Sequence, residues 1–582
     1  MTDDMLPRYG SDVVVDLLRQ QGIGYVALNP GASFRGIHDS LVNRPGAPEI
    51  ILVPHEKLAV NLAHGFAKVT GEPMAAIVHN VVGLLHGSLG ILTAYLDRTP
   101  VIVLGGCGPM DTERRRPGSD WVHTANIQGD AVRSFTKWDD QPTSIDAFPQ
   151  SLARARRIAL TEPAGPVYVA FDAELQERAV GGPPPAIDWN RVGPGSRMGP
   201  DDAVLDDVAT MLVDARRPVI VAGYAGRDPR AFEWIGQLAE LVGAGVIDTG
   251  SRLNIGTEHR LNVTGTDALA DADLVVLLDM KDVSKALVGV ESASRRMASH
   301  LAADTKVVDI GFGEHQASAW IQDVGPVHPV DVALTADTSI VLPRLIAGAQ
   351  DRLLSDDAAR RKQRAAYRAA LAEQHVAQRQ AWQAVADRRW AERPIAPARL
   401  VAEVWSVIRD MDWVLTAGTA QDWALRLWDF DRSYRHPGRS LGTATQAGIS
   451  LGVALAHKGT GRLVVNLQPD GDLMFDAGSL WIASAHRIPM LTVMFNNRAY
   501  FNDWEHQDRM AKVRGTDPTR TSVGVALDGP APDFAQLARA FDWYAEGPIE
   551  DAEAVAPAVL RAARVVLDEG RPALVDVVCA HR

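Results

Sequence analysis

Short, continuously apolar runs recur along this 582-residue chain at 25–28, 50–53, 75–78, 101–104 and 167–170. Stretches with apolar residues three and four apart separate most of them. Runs without polar alternation predict strands buried on both faces, and the intervening stretches predict helices, so this segment is a parallel sheet wrapped by helices. The same alternation returns at 219–222, 274–278 and 306–310, and again at 413–416, 462–466, 491–495 and 573–578. The chain is thus α/β, with three doubly wound parallel-sheet domains. Breakers from Gly181 through Pro185 end the first domain, residues 1–182. A central domain spans 196–350, a charged, alanine-rich helical linker spans 351–393, and the last domain spans 394–582.

Composition narrows the functional classes. A net charge of −13 excludes nucleic acid and anionic membrane as partners. No apolar stretch of about 18 residues is present to span a bilayer. Two cysteines, Cys107 and Cys579, make neither a disulfide framework nor a zinc site. With an acidic N-terminus that is no signal peptide, they point to the cytoplasm.

Ligands in such sheets sit beyond the carboxyl ends of strands. Two places there carry chemistry. Glu56 closes the second strand of the first domain, where a carboxylate is poorly solvated and needs a partner or a task. In the last domain Gln468-Pro469-Asp470-Gly471-Asp472 and Phe495-Asn496-Asn497 each follow a strand, with a helix expected over 473–485 between them. A carboxylate and an amide oxygen are hard ligands suited to Mg²⁺, which completes its shell with phosphate oxygens. Gly471 lets backbone approach a phosphate at a helix start.

These two places together resemble the thiamine-diphosphate-dependent enzymes, whose signature is Gly-Asp-Gly and, about 25 residues on, Asn-Asn. The resemblance implies that Asp470, the Asn497 side chain and the main-chain oxygen of Ala499 ligate Mg²⁺. It places Gly471 and Asp472 against the diphosphate of thiamine diphosphate. Pro469 replaces the first glycine and removes a donor. Asp472 stands where a small residue is usual, and should face away or cap the following helix. Glu56 matches the strand-end glutamate that hydrogen-bonds the cofactor's aminopyrimidine.

The first domain is similar to benzoylformate decarboxylase and the acetolactate-synthase-like group. Asn29, Pro30 and Gly31 match an Asn-Pro-Gly loop there. His79 falls where benzoylformate decarboxylase carries an active-site histidine, and is the candidate for proton transfer. Ala32 stands where that enzyme has a serine, with Ser33 one residue on. His86 reads as a helix N-terminal contact. Thr443 and Thr445 lie in the stretch that supports the cofactor from below, an ungapped reading putting Thr445 at the wedge. Tyr500 to His506 and Asp120 to Thr124 are candidate pocket walls. The run Glu113-Arg114-Arg115-Arg116 is a candidate for steering an anion.

The resemblance implies three domains, pyrimidine-binding, central and diphosphate-binding. It implies a lyase or carboligase acting on a 2-oxo acid, with an aldehyde or ketone as second acceptor. It also implies a homodimer or homotetramer whose active sites lie at the subunit interface. A lyase for 2-hydroxyacyl-CoA or oxalyl-CoA, or a non-catalytic scaffold member of the fold, stands as an alternative. The central domain holds FAD, a nucleotide or neither.

Overall fold

The computed structural model of the chain describes residues 6–116, 120–182, 185–291, 294–316, 327–418, 421–439 and 442–581. The acidic N-terminus, residues 1–5, and the breakers Pro183 and Pro184 lie outside these. The chain forms two compact units. One holds Met1–Ser196, Leu441–Thr460 and Phe475–Met490, and the other holds the remaining segments.

The first unit is built on a six-stranded parallel sheet. Its strands are β1 (Tyr25–Leu28), β2 (Glu49–Leu52), β3 (Met74–Val78), β4 (Val101–Cys107), β5 (Trp138–Asp140) and β6 (Val167–Asp172). They lie in the order β2-β1-β3-β4-β6-β5. The strands β3, β4 and β6 are buried at every position, as their unbroken apolar runs require. The order reverses around β1, which pairs with both β2 and β3. Three expected site elements, the 29–31 loop, Glu56 and His79, follow the carboxyl ends of these three strands.

Two helices from far along the chain complete this unit, Gln446–Ala456 and Ser479–Ala485. The first crosses the helix Glu56–Thr70 through glycines. A Cβ at Gly65 would sit 2.0 Å from the Ile449 carbonyl oxygen, and one at Gly452 would sit 2.0 Å from that of Leu62. Neither neighbour is a movable side-chain tip, so the helices would have to separate. Gly65→Ala is expected to cost about 3 kcal/mol, read as a lowered urea midpoint.

The second unit holds two five-stranded parallel sheets. The central one comprises β7 (Pro218–Ala222), β8 (Gly245–Asp248), β9 (Leu274–Leu278), β12 (Lys306–Gly311) and β13 (Val332–Thr335), in the order β13-β12-β9-β7-β8. The short strands β10 (Val288–Val290) and β11 (Met297–Ser299) pair as a separate antiparallel ribbon. The last sheet comprises β14 (Trp413–Ala417), β15 (Leu463–Pro469), β16 (Leu491–Asn496), β17 (Tyr544–Ile549) and β18 (Ala573–Val578), in the order β14-β15-β16-β18-β17. The charged linker is dominated by one 31-residue helix, Ala358–Arg388. Mixed α/β layers with three main parallel sheets are the architecture expected from the sequence.

Two local expectations are corrected. The strand before the Asp470 motif runs on to Pro469 rather than ending at Asn466. The single helix expected over 473–485 is two helices, Asp470–Phe475 and Ser479–Ala485. The chain turns between them because Asp476 pairs with Lys57 at 2.9 Å and Gly478 packs on Pro54, where a Cβ would meet the ring at 2.9 Å. Among the described residues no helix is long and apolar enough to cross a membrane.

Candidate functional site

Glu56 is the first residue of the helix Glu56–Thr70 and is only 5% exposed. The extended His55 precedes it as N-cap, its Nδ1 accepting the Lys57 N–H at 3.1 Å. His86 sits against the carboxylate, with Nδ1 3.2 Å from Oε2. Its ring stacks on that of His55 at 5.0 Å between centroids. Gly83, one turn earlier on the helix Val81–Leu96, is where the acid approaches backbone. A Cβ there would lie 2.8 Å from Oε1. The structure therefore gives His86 a partner, Glu56, that its reading as a helix N-terminal contact did not foresee.

His79, just past β3, is half-buried. Ser33 Oγ accepts the Asn80 N–H at 3.1 Å and shares a hydrogen bond with Nδ1 of His79 at 2.8 Å. The other ring nitrogen, Nε2, faces Nδ1 of His123 at 3.3 Å. Burial lowers the pKa of His79 first, with His123 and Arg116 adding to the effect and Glu56 opposing it. The ring is thereby kept neutral at neutral pH. Gly31 lets the loop pass close to His79, since a Cβ there would fall 2.6 Å from its Nδ1. Asn29 is half-buried and Pro30 exposed. Of the basic run, Arg116 reaches this loop and donates to the Ala32 carbonyl at 3.0 Å.

The stretch from Gly442 is conformationally unusual. Gly442, Thr443 and Ala444 all have positive φ, 73°, 54° and 62°. Two successive non-glycine residues in the left-handed region cost on the order of 1–3 kcal/mol each and persist where surrounding structure holds them. Thr443 is exposed. Thr445 is fully buried and donates to the Gly442 carbonyl at 2.8 Å.

In the second unit Asp470, Asn497 and Ala499 come together. Asp470 is 2% exposed and accepts the N–H of Gly471 at 2.8 Å and of Ala499 at 3.2 Å. Asn497 Oδ1 also accepts the Ala499 N–H, at 3.1 Å. Desolvation pushes the Asp470 carboxyl up to about 6, against the pull of these backbone donors. Among the described residues no cationic side chain pairs with it. A buried carboxylate beside an amide oxygen and main-chain groups, without a cation of its own, suits a hard divalent ion. Asn496 turns the other way, with Nδ2 on Asp576 at 3.0 Å.

The motif's neighbours have their own assignments. Gly471 makes room for Tyr500, whose ring a Cβ would meet at 2.7 Å. Asp472 lies within the first turn of its helix and accepts from Gln468 Nε2 at 3.0 Å. Beyond Tyr500, Phe501 stacks on His581 at 4.5 Å, and Trp504 lies 5.0 Å from the same ring. At the ends of β7 and β9 in the central sheet, Arg227 bridges Asp279 and Asp337, the latter at 3.0 Å.

Comparison with known proteins bears on both places. The family model described as "Thiamine pyrophosphate enzyme, N-terminal TPP binding domain" matches residues 8–129, which contain Glu56, His79 and His86. That described as "Thiamine pyrophosphate enzyme, C-terminal TPP binding domain" matches residues 416–577, which contain Asp470, Asn497 and Ala499. Acetolactate synthase 1, chloroplastic, of Nicotiana tabacum is 24% identical over 531 residues, spanning 87% of this chain and 73% of its own. Acetolactate synthase of Bacillus subtilis is 24% identical over 514 residues, spanning 84% of this chain and 82% of its own. The crystal structure of benzoylformate decarboxylase from Polynucleobacter necessarius superposes with a TM-score of 0.76 at 18% identity, covering 99% of both chains.

Proposed function

We propose, for a chain that belongs to the thiamine-diphosphate-dependent enzymes of the acetolactate synthase and benzoylformate decarboxylase group, that it cleaves a 2-oxo acid beside its carbonyl and yields an aldehyde or a 2-hydroxy ketone. The observation that carries this reading is the buried Asp470 carboxylate, raised to about 6 and lacking a cationic side-chain partner among the described residues. It is a site that a divalent cation would relieve.

In this reading Asp470, the Asn497 side-chain oxygen and the Ala499 carbonyl hold Mg²⁺. The N–H groups of the Asp470–Phe475 turn that follow Gly471, whose own N–H is taken by Asp470, would hold the diphosphate. Asp472, turned to Gln468, is kept from repelling it. Glu56 would exchange a proton with the pyrimidine ring through its carboxylate. Thr443 and the strained turn it sits in would support the ring from below, with Thr445, fully buried and bonded to Gly442, holding that turn. When bound, thiamine diphosphate supplies a nucleophilic carbon and an electron sink for the pair released as CO₂ leaves. Two copies of the chain are part of the proposal, Glu56 of one meeting the Asp470 cluster of the other.

His79 takes or gives the substrate's proton at Nε2, the nitrogen that also faces His123, with Ser33 fixing the ring through Nδ1. His79→Gln is expected to lower kcat by about 10²-fold, within the range for loss of a general acid–base group. A histidine whose pKa is lowered loses its neutral form only below about 6.5. The acid limb of the parent's pH–rate profile should therefore lie below that value and be absent from the variant.

The substrate is tested by incubating the purified protein with thiamine diphosphate, Mg²⁺ and pyruvate, benzoylformate or branched 2-oxo acids, and reading products by mass spectrometry. An aldehyde marks a decarboxylase and a 2-hydroxy ketone or acetohydroxy acid marks a carboligase. No product from any of them, but cleavage of a 2-hydroxyacyl thioester, would replace this reading.

A further inference from the structure

Glu56 has a task that burial makes difficult. Any acid that repeatedly gains and loses a proton must exchange it with solvent, and a carboxyl 5% exposed has little direct access. His86 spans that gap. Its Nδ1 lies 3.2 Å from Oε2 of Glu56, while its side chain is 61% exposed. Among the described residues no other ionisable side chain in this cluster is so placed. Lys57, next to Glu56, is turned to Asp476 at 2.9 Å. His55 keeps its Nδ1 on the Lys57 N–H and offers its ring face to His86. His79, on the neighbouring strand end, is engaged by Ser33 and His123.

We propose that His86 is the proton conduit between solvent and Glu56, held in line by the stacked ring of His55. It acts only through Glu56 and is a positioning residue in that sense. The transfer balances simply. Solvent acid protonates Nε2 and the Nδ1 proton passes to Oε2; the exposed ring then turns about its Cβ–Cγ bond, Nδ1 takes a proton from solvent as Nε2 returns one, and the ring turns back to Glu56. The reverse sequence carries a proton out. An imidazole suits this role because its two nitrogens bind and release protons near neutral pH. Gly83 is the enabling residue, since any side chain there would press on the carboxylate from the other oxygen.

The proposal rests on the reading of Glu56 given above, so its test separates the two. The first readout needs no substrate: exchange of the C2 proton of added thiamine diphosphate with D₂O, in the presence of Mg²⁺, quenched in acid and read by NMR. His86→Ala is expected to slow this exchange by roughly 10- to 100-fold, and added imidazole at constant pH and ionic strength should restore it in proportion to its concentration. His86→Gln keeps a hydrogen-bond donor without a titrating ring, and should be as slow as the alanine variant. Calorimetric affinity for thiamine diphosphate and Mg²⁺ should stay within about threefold in both.

The second readout uses the protein without cofactor. ¹⁵N shifts of labelled histidines should show His86 protonated at Nδ1, and Glu56→Gln should change that tautomer balance. Exchange in His86→Ala within twofold of the parent, slow exchange that imidazole leaves unchanged, or a tautomer indifferent to Glu56→Gln would each overturn the conduit. Undiminished exchange in Glu56→Gln would instead overturn the role of the glutamate itself.

Discussion

Glu56→Gln is expected to bind thiamine diphosphate and Mg²⁺ nearly as the parent does and to lose turnover by about 10²- to 10⁴-fold, the span that acid–base groups command. The amide matches the carboxylate in size, so the helix start and its contact with Gly83 survive. It still offers an oxygen to His86, whose Nδ1 now stands 3.2 Å from Oε2, but a weaker acceptor than the carboxylate, so the contact persists while the ring's tautomer balance shifts. What disappears is the ability to hold and release a proton. A folding defect would appear as a lowered melting temperature, which this substitution should not produce. The decisive comparison is kcat and cofactor affinity in the same preparation. A fall in affinity equal to the fall in turnover would mean that Glu56 binds rather than activates.

Asp470→Asn should act on stability and function in opposite directions. A carboxyl raised from 3.8 to about 6 binds more protons folded than unfolded throughout that interval. The stability of the metal-free protein attributable to this group therefore falls as pH rises through the interval, by about 3 kcal/mol for a shift of this size at about 1.4 kcal/mol per unit. The asparagine removes the buried charge and gives up part of the hydrogen bonding to Gly471 and Ala499, leaving a net gain on the order of 2 kcal/mol at pH 7.5. The gain should shrink towards zero near pH 4, where the parent carboxyl is protonated. With Mg²⁺ and thiamine diphosphate present the order should invert, because only the parent has a ligand whose binding raises its melting temperature. Melting curves with and without both additions, at the two pH values, read all four states. An equal ligand-induced rise in parent and variant would remove Asp470 from the metal site.

The sheets were legible because parallel strands covered on both faces cannot afford polar positions, and β3, β4 and β6 show none at their centres. The metal segment was legible for a related reason. Asp470 and Asn497 follow adjacent strands, β15 and β16, so their spacing reports the length of one crossover. Pairings that depend on two remote elements were not visible. Nothing near His86 in the sequence points to Glu56, because their contact depends on how the helix Val81–Leu96 lies beside the helix Glu56–Thr70. The broken helix after Asp470 escaped notice likewise. Its apolar spacing continues through the turn, and the ion pair between Lys57 and Asp476 that accompanies the turn joins residues from opposite ends of the chain. His581 gave no signal beyond its identity, and only the ring packing of Phe501 and Trp504 draws attention to it.

The glycine-mediated crossing of the helices Glu56–Thr70 and Gln446–Ala456 sets a schedule for biosynthesis. The earlier helix leaves the ribosome with the face that meets Gln446–Ala456 uncovered, and its mate follows some 380 residues later, roughly 20–80 s at ordinary rates of translation. Throughout that interval the nascent N-terminal portion displays a sticky, small-residue surface that nothing yet synthesised can shield. Cells making this enzyme must tolerate that wait or guard against it with a chaperone, and fragments ending before the late helix should aggregate where the whole chain does not.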